Sequence, residues 1–500
     1  MAAPRFLWPL LIGLNLLLHL PFFTQPPTSI HVWRQSNTMA VARNFYEEDM
    51  NILRPRVDNR KSTNGVTGMQ FPSYEWVVAL TYKVLGFQEA IPRVINWLIF
   101  LAGVVAFHRL VLLLTGSAWL AAAGAWMLSW SPELFYHSIN ALPDVLALSA
   151  SLWGLYFFLR WYQHPSFSYF ILSLLATTLG GLTKLQYLVV GVPIGALILR
   201  DWVQGRFDWR SRLGPIALFA GVSVGLTLAW YAYALRLIEL SGLTDFGLEV
   251  RSASSWAAAV AILKDNVVSD VPELLLNFAT FGLLLLGLFA IWRKRYWQQS
   301  MFFPLFAWSL VLGVYHLLEL KQMADHQYYM LPHLPVLLLV AVVGAKWLRE
   351  QSGRGAHLAL WVLLLAQPAL AFVRVVPPRW LRGPNGLPPE LYYNDSRARL
   401  RAAAPDSALC VVGPDDSGCI DFYFLHKKGF GFAAKDQLFA ADSTGRPYLS
   451  RCIQAGARYL YTNDSTLIAD PRLKPYVRQP VVRVGDFRVV ALQVDSLGRQ

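Results

Sequence analysis

Apolar residues in this chain run in long, nearly uncharged stretches rather than in alternating strand patterns or narrow helical stripes. Such stretches fall near residues 5–22, 93–115, 117–135, 143–162, 167–184, 187–200, 213–235, 273–292, 301–320, 330–348 and 356–373. A helix that crosses a bilayer takes about 20 mostly apolar residues, so the pattern predicts about eleven transmembrane helices. The first follows Arg5 and runs into a proline-rich turn with no small-residue cleavage site, which predicts a retained helix with its amino terminus inside.

Charge between the spans is sorted by side. Alternate connections hold Arg160, then Arg200, Arg206, Arg210 and Arg212, then Arg293, Lys294 and Arg295, then Lys346, Arg349 and Arg354, whereas the opposite short loops hold little beyond Lys184 and Lys321. This is the positive-inside pattern, and it predicts an odd number of spans with the carboxyl terminus outside. Composition agrees: of 500 residues 55% are hydrophobic and 15% charged, with a mean hydropathy of +0.38. An ordinary soluble enzyme would carry about 25% charged residues. With 34 Gly, 29 Pro and 3 Cys, disordered, collagen-like and disulfide-scaffold classes are also excluded. The net charge of +13 does not indicate nucleic acid, because no basic cluster is interleaved with stacking aromatics.

Three segments fall outside the membrane on this reading: 23–92, 236–272 and the tail from about 374. The expected domains are a transmembrane domain over 1–373, including the first outer loop at about 23–92, and a small α/β domain over 374–500. The tail holds 18 Lys and Arg against 12 Asp and Glu, so +6 of the total charge lies there. Strand-like runs at 408–412, 459–461 and 481–492 alternate with helix-like stretches around 419–428 and 448–457. Cys410, Cys419 and Cys452 all lie in this domain, either as one disulfide and a leftover thiol or as buried reduced residues.

The outer segments carry the candidate chemistry. From Asn37, the positions Val41, Ala42, Phe45 and Tyr46 recur at helical spacing and predict a short helix lying in the membrane interface. A second interfacial element, or a short re-entrant span, is predicted over 71–86, where Glu75 and Lys83 would be costly at the bilayer centre. Between them, Arg54, Arg56, Arg60 and Lys61 precede Asn64-Gly-Val-Thr-Gly68, which reads as a phosphate cradle or as a solvated basic loop beside lipid headgroups. Asp144 opens an otherwise uncharged span, as a site residue or as a helix-start residue after Pro143. Lys184, after Gly180-Gly-Leu-Thr, faces an anion or snorkels. In the segment 321–335, His326, Tyr328 and Tyr329 suit sugar or phosphate contacts, and His326 and His333 lack the spacing of a zinc site. Phosphate-loop, nucleophile-elbow and dinucleotide motifs are not found.

These residues carry a resemblance. Trp33-Arg34-Gln35 in the first outer loop, Asp144 after a polar turn, Gly-Leu-Thr-Lys184 and Tyr329-Met-Leu-Pro-His-Leu-Pro335 resemble the GT-C class of polytopic membrane glycosyltransferases. Within that class, the bacterial branch of the protein O-mannosyltransferase and aminoarabinose transferase superfamily is the most similar, over roughly residues 1–350. The resemblance implies transfer of a sugar from a polyprenyl-phosphate donor to a lipid, glycan or protein acceptor. It further implies a multi-pass protein of the bacterial inner membrane, with its amino terminus cytoplasmic and its carboxyl-terminal domain periplasmic. One position departs from the pattern: where similar sequences often have Asp, this chain has Asn37. An amide takes no proton from a hydroxyl at neutral pH, so the base lies elsewhere or the activity is altered or absent.

Such a reaction needs a base, cations for the departing phosphate and a site that aligns donor and acceptor. The candidate carboxylates are Asp144 and Glu75, with Glu48 and Asp49 behind them. Arg34, Gln35, Arg54, Arg56, Arg60, Lys61 and Lys184 are the candidates for phosphate, and His326, Tyr328 and Tyr329 for sugar. Asn37 would orient a hydroxyl or a metal-bound water. Carboxylate and amide oxygens would suit Mg or Mn, although no ligand spacing demands a metal. The competing class is a non-enzymatic flippase of lipid-linked sugar, or an inactive glycan-binding protein. The absence of an internal repeat and the scarcity of charge deep in the spans disfavour transport.

Overall fold

The structure, a computed structural model, describes residues 7–244, 246, 250–299, 302–384 and 386–493. Arg5, from which the first predicted span was counted, and Met301, at the start of another, lie outside the described residues. The chain divides into two compact units. One comprises Met1–Thr24, Pro92–Ala232 and Leu248–Leu381; the other comprises Gln25–Ile91, Tyr233–Gly247 and Arg382–Gln500.

The described part of the first unit is helical, with no strand. Five helices are long and apolar enough to cross a membrane: Ala90–Thr115, Leu185–Val203, Trp209–Ser241, Gln327–Glu350 and Arg354–Trp380. A sixth follows if Trp256–Leu275 and Phe278–Arg293, bent by 115° at their junction, count as one broken span. Leu7–Phe22, Ala118–Ser129, Phe167–Thr183 and Phe302–Leu318 are apolar but shorter. Each of the eleven predicted segments thus contains helix, but only five or six satisfy length and composition, because breaks at residues such as Trp130 and Lys184 cut apolar runs that are continuous in sequence. Leu218, Leu226, Leu228 and Leu235 of the Trp209–Ser241 helix stay exposed, as expected of a surface facing lipid.

Where helices meet, small residues set the approach. A Cβ on Gly287 would stand 2.0 Å from the Val340 carbonyl oxygen, and one on Gly344 would stand 2.0 Å from that of Leu283. Glycines at both crossings therefore let the Phe278–Arg293 and Leu334–Glu350 helices pack backbone to backbone, where hydrocarbon supplies no hydrophobic force to join them.

The second unit is built on a five-stranded sheet: β1 (Leu409–Val412), β2 (Lys428–Gly431), β3 (Tyr459–Thr462), β4 (Val477–Val484) and β5 (Phe487–Leu492), in the order β2-β1-β3-β5-β4. β1 runs parallel to β2 and β3, while β5 is antiparallel to β3 and β4. The run at 481–492 is a hairpin that turns at Gly485, whose φ of +56° suits a residue without a side chain. β2, with two glycines in four residues, had no strand signal and instead fell at the end of a predicted helix. All three cysteines are buried free thiols, and burial pushes Cys410 and Cys452 up to about 12.

This unit differs from the predicted domain boundary, because the first outer loop groups with the tail rather than with the transmembrane helices. Asn59 pairs with Gly429 at the β2 edge, Arg60 and Lys61 donate backbone N–H bonds to the Gly429 carbonyl, and Gly431 N–H donates to Asn59 Oδ1. The Val32–Glu47 helix is buried on all its faces from Arg34 to Phe45, so it is a core helix and not an interfacial one. Its C-terminal half is tied to the rest of the unit: Arg43 Nη2 lies 2.7 Å from Asp58 Oδ2, its Nη1 donates to the Tyr423 carbonyl at 3.0 Å, and Asn44 donates to Asp58 Oδ1 at 2.8 Å. The Ser73–Leu85 helix does keep an apolar stripe exposed, at Val77, Leu80 and Val84. At 13 residues it reaches about 20 Å, short of the roughly 30 Å hydrocarbon core.

At the end of the Val32–Glu47 helix, Glu47 meets His426 Nε2 at 2.7 Å and Lys428 Nζ at 3.2 Å, while Glu48 meets Lys428 and Arg60. Burial opposes ionisation of Glu47, but the His426 hydrogen bond and the charges of Arg43, His426 and Lys428 outweigh it and hold its pKa at about 2, below the ordinary 4.5. A carboxylate with a depressed folded-state pKa stabilises fully above its unfolded value and loses that contribution as pH falls toward the folded one.

Two outcomes are expected. Gly344→Ala should lower thermal stability in detergent by about 1–3 kcal/mol, because a backbone carbonyl blocks the new methyl group; Gly313→Ala, whose Cβ meets nothing within 4 Å, should leave it unchanged. Acid titration followed by hydrogen exchange should loosen the β2 edge between pH 4.5 and about 2, and Glu47→Gln should remove that pH dependence.

Candidate functional site

Within the helical unit, the polar residues predicted from different spans converge. Asp144 lies in the first turn of the Pro143–Gln163 helix, fully buried. Lys184 ends the Phe167–Thr183 helix in extended conformation, where the chain changes to a 3-10 turn over Leu185–Val190. That break carries its side chain to Asp144, with Nζ 3.5 Å from Oδ2. The Gln327–His333 turn supplies two rings, and Lys184 Nζ stands 5.0 Å from the Tyr329 centroid and 5.8 Å from that of Tyr328. His326 stacks on Tyr328 with centroids 5.6 Å apart. Burial pulls the His326 imidazole down to about 4 despite the neighbouring Asp325, so it is neutral at pH 7.

Neither carboxylate oxygen of Asp144 accepts a hydrogen bond from the described residues, although both are buried. Its only ion-pair partner among them is Lys184, at a distance longer than a good hydrogen bond. A charge taken out of water is normally both paired and hydrogen-bonded, and leaving oxygens unbonded costs free energy that pure structure would not spend. Among the described residues the anion that Lys184 faces is Asp144 itself.

The turn before Asp144 is held from the Ala90–Thr115 helix. Arg93 Nη1 donates to Asn140 Oδ1 at 3.0 Å, and Asn96 Nδ2 donates to the His137 carbonyl at 2.7 Å. Beside it lies a buried group that sequence reasoning did not single out: Glu133 is 3.0 Å from His137 Nε2 and 3.3 Å from Arg379 Nη1. The His137 ring is 5.6 Å from that of Tyr328. The i,i+4 spacing of Glu133 and His137 was visible, but Arg379 is 246 residues away and fell in the tail assigned to the α/β domain. Arg251, likewise not singled out, pairs with Asp325 at 3.3 Å and donates to Gln322 at 3.3 Å.

The candidates of the other unit behave differently. Arg34 is buried with its guanidinium 5.1 Å from the Phe246 ring, and its Nη2 has no hydrogen-bond partner among the described residues. Gln35 donates to the carbonyls of Thr28 and Ile30, which fixes the entry to its helix. Asn37 is buried in the same helix. Glu75 is buried and accepts from Gln70 at 3.4 Å. The four loop cations do not converge: Arg56 pairs with Asp49 and Glu48, Arg60 with Glu48, Lys61 reaches the Gly242 carbonyl, and Arg54 is exposed. The neighbouring glycines serve close packing, since a Cβ on Gly68 would fall 1.8 Å from the Ala234 carbonyl oxygen. Sequence proximity suggested a phosphate cradle; Glu48 and Asp49, at the end of the preceding helix, already neutralise it. No group of three His, Cys, Asp or Glu able to hold a metal occurs among the described residues.

Comparison with known proteins gives concordant results. Residues 70–231 match the family described as dolichyl-phosphate-mannose-protein mannosyltransferase. An uncharacterized protein of Aquifex aeolicus is 26% identical over 320 residues, covering 60% of this chain; the match spans 58% of that relative's length. Among solved structures, ArnT from Cupriavidus metallidurans in the apo state aligns over 99% of both chains at 15% identity with a TM-score of 0.65. The archaeal oligosaccharyltransferase AglB from Archaeoglobus fulgidus, solved with an inhibitory peptide and a dolichol-phosphate, aligns over 92% of this chain and 69% of its own at 10% identity, TM-score 0.58. The arabinofuranosyltransferase AftD from Mycobacteria aligns over 98% of this chain and 42% of its own at 17% identity, TM-score 0.54. At such identities these likenesses speak for the fold, and the family match speaks for the segment that contains Asp144 and Lys184. In its fold the chain is similar to these membrane glycosyltransferase structures, and over residues 70–231 it matches the mannosyltransferase family model.

Proposed function

We propose that this protein transfers a sugar from a polyprenyl-phosphate donor to a lipid, glycan or protein acceptor at the outer face of a bacterial inner membrane, with Asp144 and Lys184 at the reacting centre. The observation that carries the reading is the buried Asp144 carboxylate, which accepts no hydrogen bond from the described residues and faces one lysine. In this mechanism an acceptor hydroxyl attacks the anomeric carbon. The new C–O bond forms as the bond to the phosphate oxygen breaks, the hydroxyl proton passes to Asp144, and the electron pair of the broken bond leaves on polyprenyl phosphate. Lys184 stabilises the charge developing on that phosphate, and a site enclosed by protein magnifies the effect. Tyr328, Tyr329 and His326 offer ring faces and polar tips to the sugar. Arg34 is a second candidate for the phosphate, Glu75 a second carboxylate, and Asn37 a hydroxyl-orienting amide that takes no proton.

The eleven-span arrangement, with the amino terminus cytoplasmic and the tail periplasmic, is part of this proposal. It is supported by the sorting of Lys and Arg between alternate loops.

The test is reconstitution of the purified protein with polyprenyl-phosphate sugar and measurement of released polyprenyl phosphate. Wild type is expected to release it. Asp144→Asn should lower the rate by about 10²–10⁴-fold, the range of a lost general base, while the protein stays folded and inserted. Release by neither the wild type nor Asn37→Asp, together with scrambling of labelled lipid, would overturn the transferase reading in favour of a flippase. Separately, a Ser443→Cys variant should react with a membrane-impermeant thiol reagent added to intact spheroplasts; protection there would reverse the orientation.

A further inference from the structure

Two of the helices long and apolar enough to cross a membrane, Leu185–Val203 and Trp209–Ser241, are consecutive, and only residues 204–208 join them. Adjacent spans joined so closely set their turn at a membrane face. This turn is remote from the Asp144–Lys184 cluster. Lys184 immediately precedes the other end of the first helix, and Asp144 opens the Pro143–Gln163 helix, whose last turn carries Tyr162. Large apolar side chains stay open at the turn: Trp202 is 53% exposed, Trp209 is 48% exposed, and Val203 and Leu213 are exposed as well. The Trp202 and Trp209 rings meet edge to face with centroids 5.8 Å apart, and Phe207 meets Trp209 at 4.8 Å. Tryptophan, apolar in its body and polar at its N–H, is enriched at the level of lipid headgroups.

From Arg200 to Arg212 the chain holds four arginines against two aspartates. This run amends the expectation that basic residues nowhere cluster among aromatics, but its rings pack on one another and form no open stacking platform. Asp201 pairs with Arg200 at 2.8 Å and Arg206 at 3.1 Å, and it accepts from the Tyr162 hydroxyl at 2.9 Å. Asp208 accepts from the backbone N–H groups of Arg210 and Ser211 and from the Ser211 hydroxyl, so it caps the start of the second helix. Arg210 is exposed, and neither it nor Arg212 makes an ion pair among the described residues. The Arg212 guanidinium lies instead over the Tyr162 ring, 4.3 Å from its centroid. Excess positive charge on a membrane face matches anionic lipid. A neutral lipid surface would leave that excess unmatched, and a soluble anion would leave the tryptophans and Leu213 uncovered.

We propose that the 200–213 turn docks on anionic phospholipid headgroups, with Arg206, Arg210 and Arg212 toward the phosphates and Trp202 and Trp209 at the boundary between headgroup and acyl chain. The inference depends on the chain residing in a membrane, holds for either orientation across it and is independent of the transferase reading. Through the Tyr162–Asp201 hydrogen bond, lipid held at this turn steadies the far end of the helix that carries Asp144.

Photolabelling of the full-length protein in phosphatidylcholine nanodiscs tests it, with photoactivatable phosphatidylglycerol and photoactivatable phosphatidylcholine as probes. The phosphatidylglycerol probe should label residues 200–213 in the wild type about tenfold more than the phosphatidylcholine probe does. Arg206→Gln/Arg210→Gln should bring the two probes close to equal, and so should salt at about 0.5 M, because screening weakens the attraction of exposed charges. Equal labelling by the two probes in the wild type, or a preference that survives both the double variant and salt, would overturn the proposal. Hydrogen exchange needs no variant: backbone amides of residues 203–209 should exchange more slowly in phosphatidylglycerol than in phosphatidylcholine nanodiscs. Equal exchange in the two bilayers would count against the docking just as decisively.

Discussion

Hydrocarbon offers no hydrogen bonds and no counter-ions, and the arrangement of the helical unit follows from that constraint. Every polar side chain enclosed there must find its partner in the protein, and the partners come from distant points of the chain. Arg93 and Asn96 clamp the 137–140 turn, Arg379 reaches Glu133, and Trp97 donates to Asn15. Glycines at the helix crossings have the complementary task. Where apolar surfaces gain nothing by leaving lipid for protein, close backbone approach supplies the attraction, as at Gly287 and Gly344. The Asp144 carboxylate is matched in charge by Lys184 and accepts no hydrogen bond from the described residues.

The second unit meets the same requirement with water close by. Its sheet edge at β2 is completed by the Asp58–Lys61 segment of the first outer loop, and the Arg43–Asp58 pair is buried beneath it. Residues more than 350 positions apart therefore form one fold, and neither the loop nor the tail accounts for its own hydrogen bonds alone. The loop cations illustrate the difference between charge and available charge. Arg56 and Arg60 are positive, but Glu48 and Asp49 already occupy them.

Legibility in the sequence followed the range of the interactions. Apolar runs are local, so helix was expected in each of them, whereas the Trp256–Asp265 helix fell in a predicted outer segment. The breaks that shorten several of these helices are not marked by any loss of apolar residues, as at Lys184, where the helix gives way to a 3-10 turn. Strands β1 and β3 carried β-branched and aromatic residues and were visible, and the single run expected over 481–492 covers parts of both β4 and β5; β2, with Gly429 and Gly431, was not visible. Asp144, Lys184, Tyr328 and Tyr329 were each nominated as polar residues at the end of an apolar stretch. Their convergence, and the place of Glu133, His137 and Arg251 beside them, could not be read from spacing because they lie on separate elements.

By itself the sequence determined that this is a membrane-embedded helical protein with a small α/β module, since hydropathy and charge sorting depend only on the order of residues and on the bilayer's thickness and dielectric. It also nominated Asp144, Lys184, Tyr328 and Tyr329 as polar residues at the ends of apolar stretches. Tertiary structure alone decided which of them meet. It brought Lys184 to Asp144, turned the Val32–Glu47 helix from an interfacial element into a core one, and joined the first outer loop to the tail. The physical reason is that ion pairs and sheet edges act over a few ångströms in space and are indifferent to separation along the chain, whereas the signals of sequence are confined to neighbouring residues.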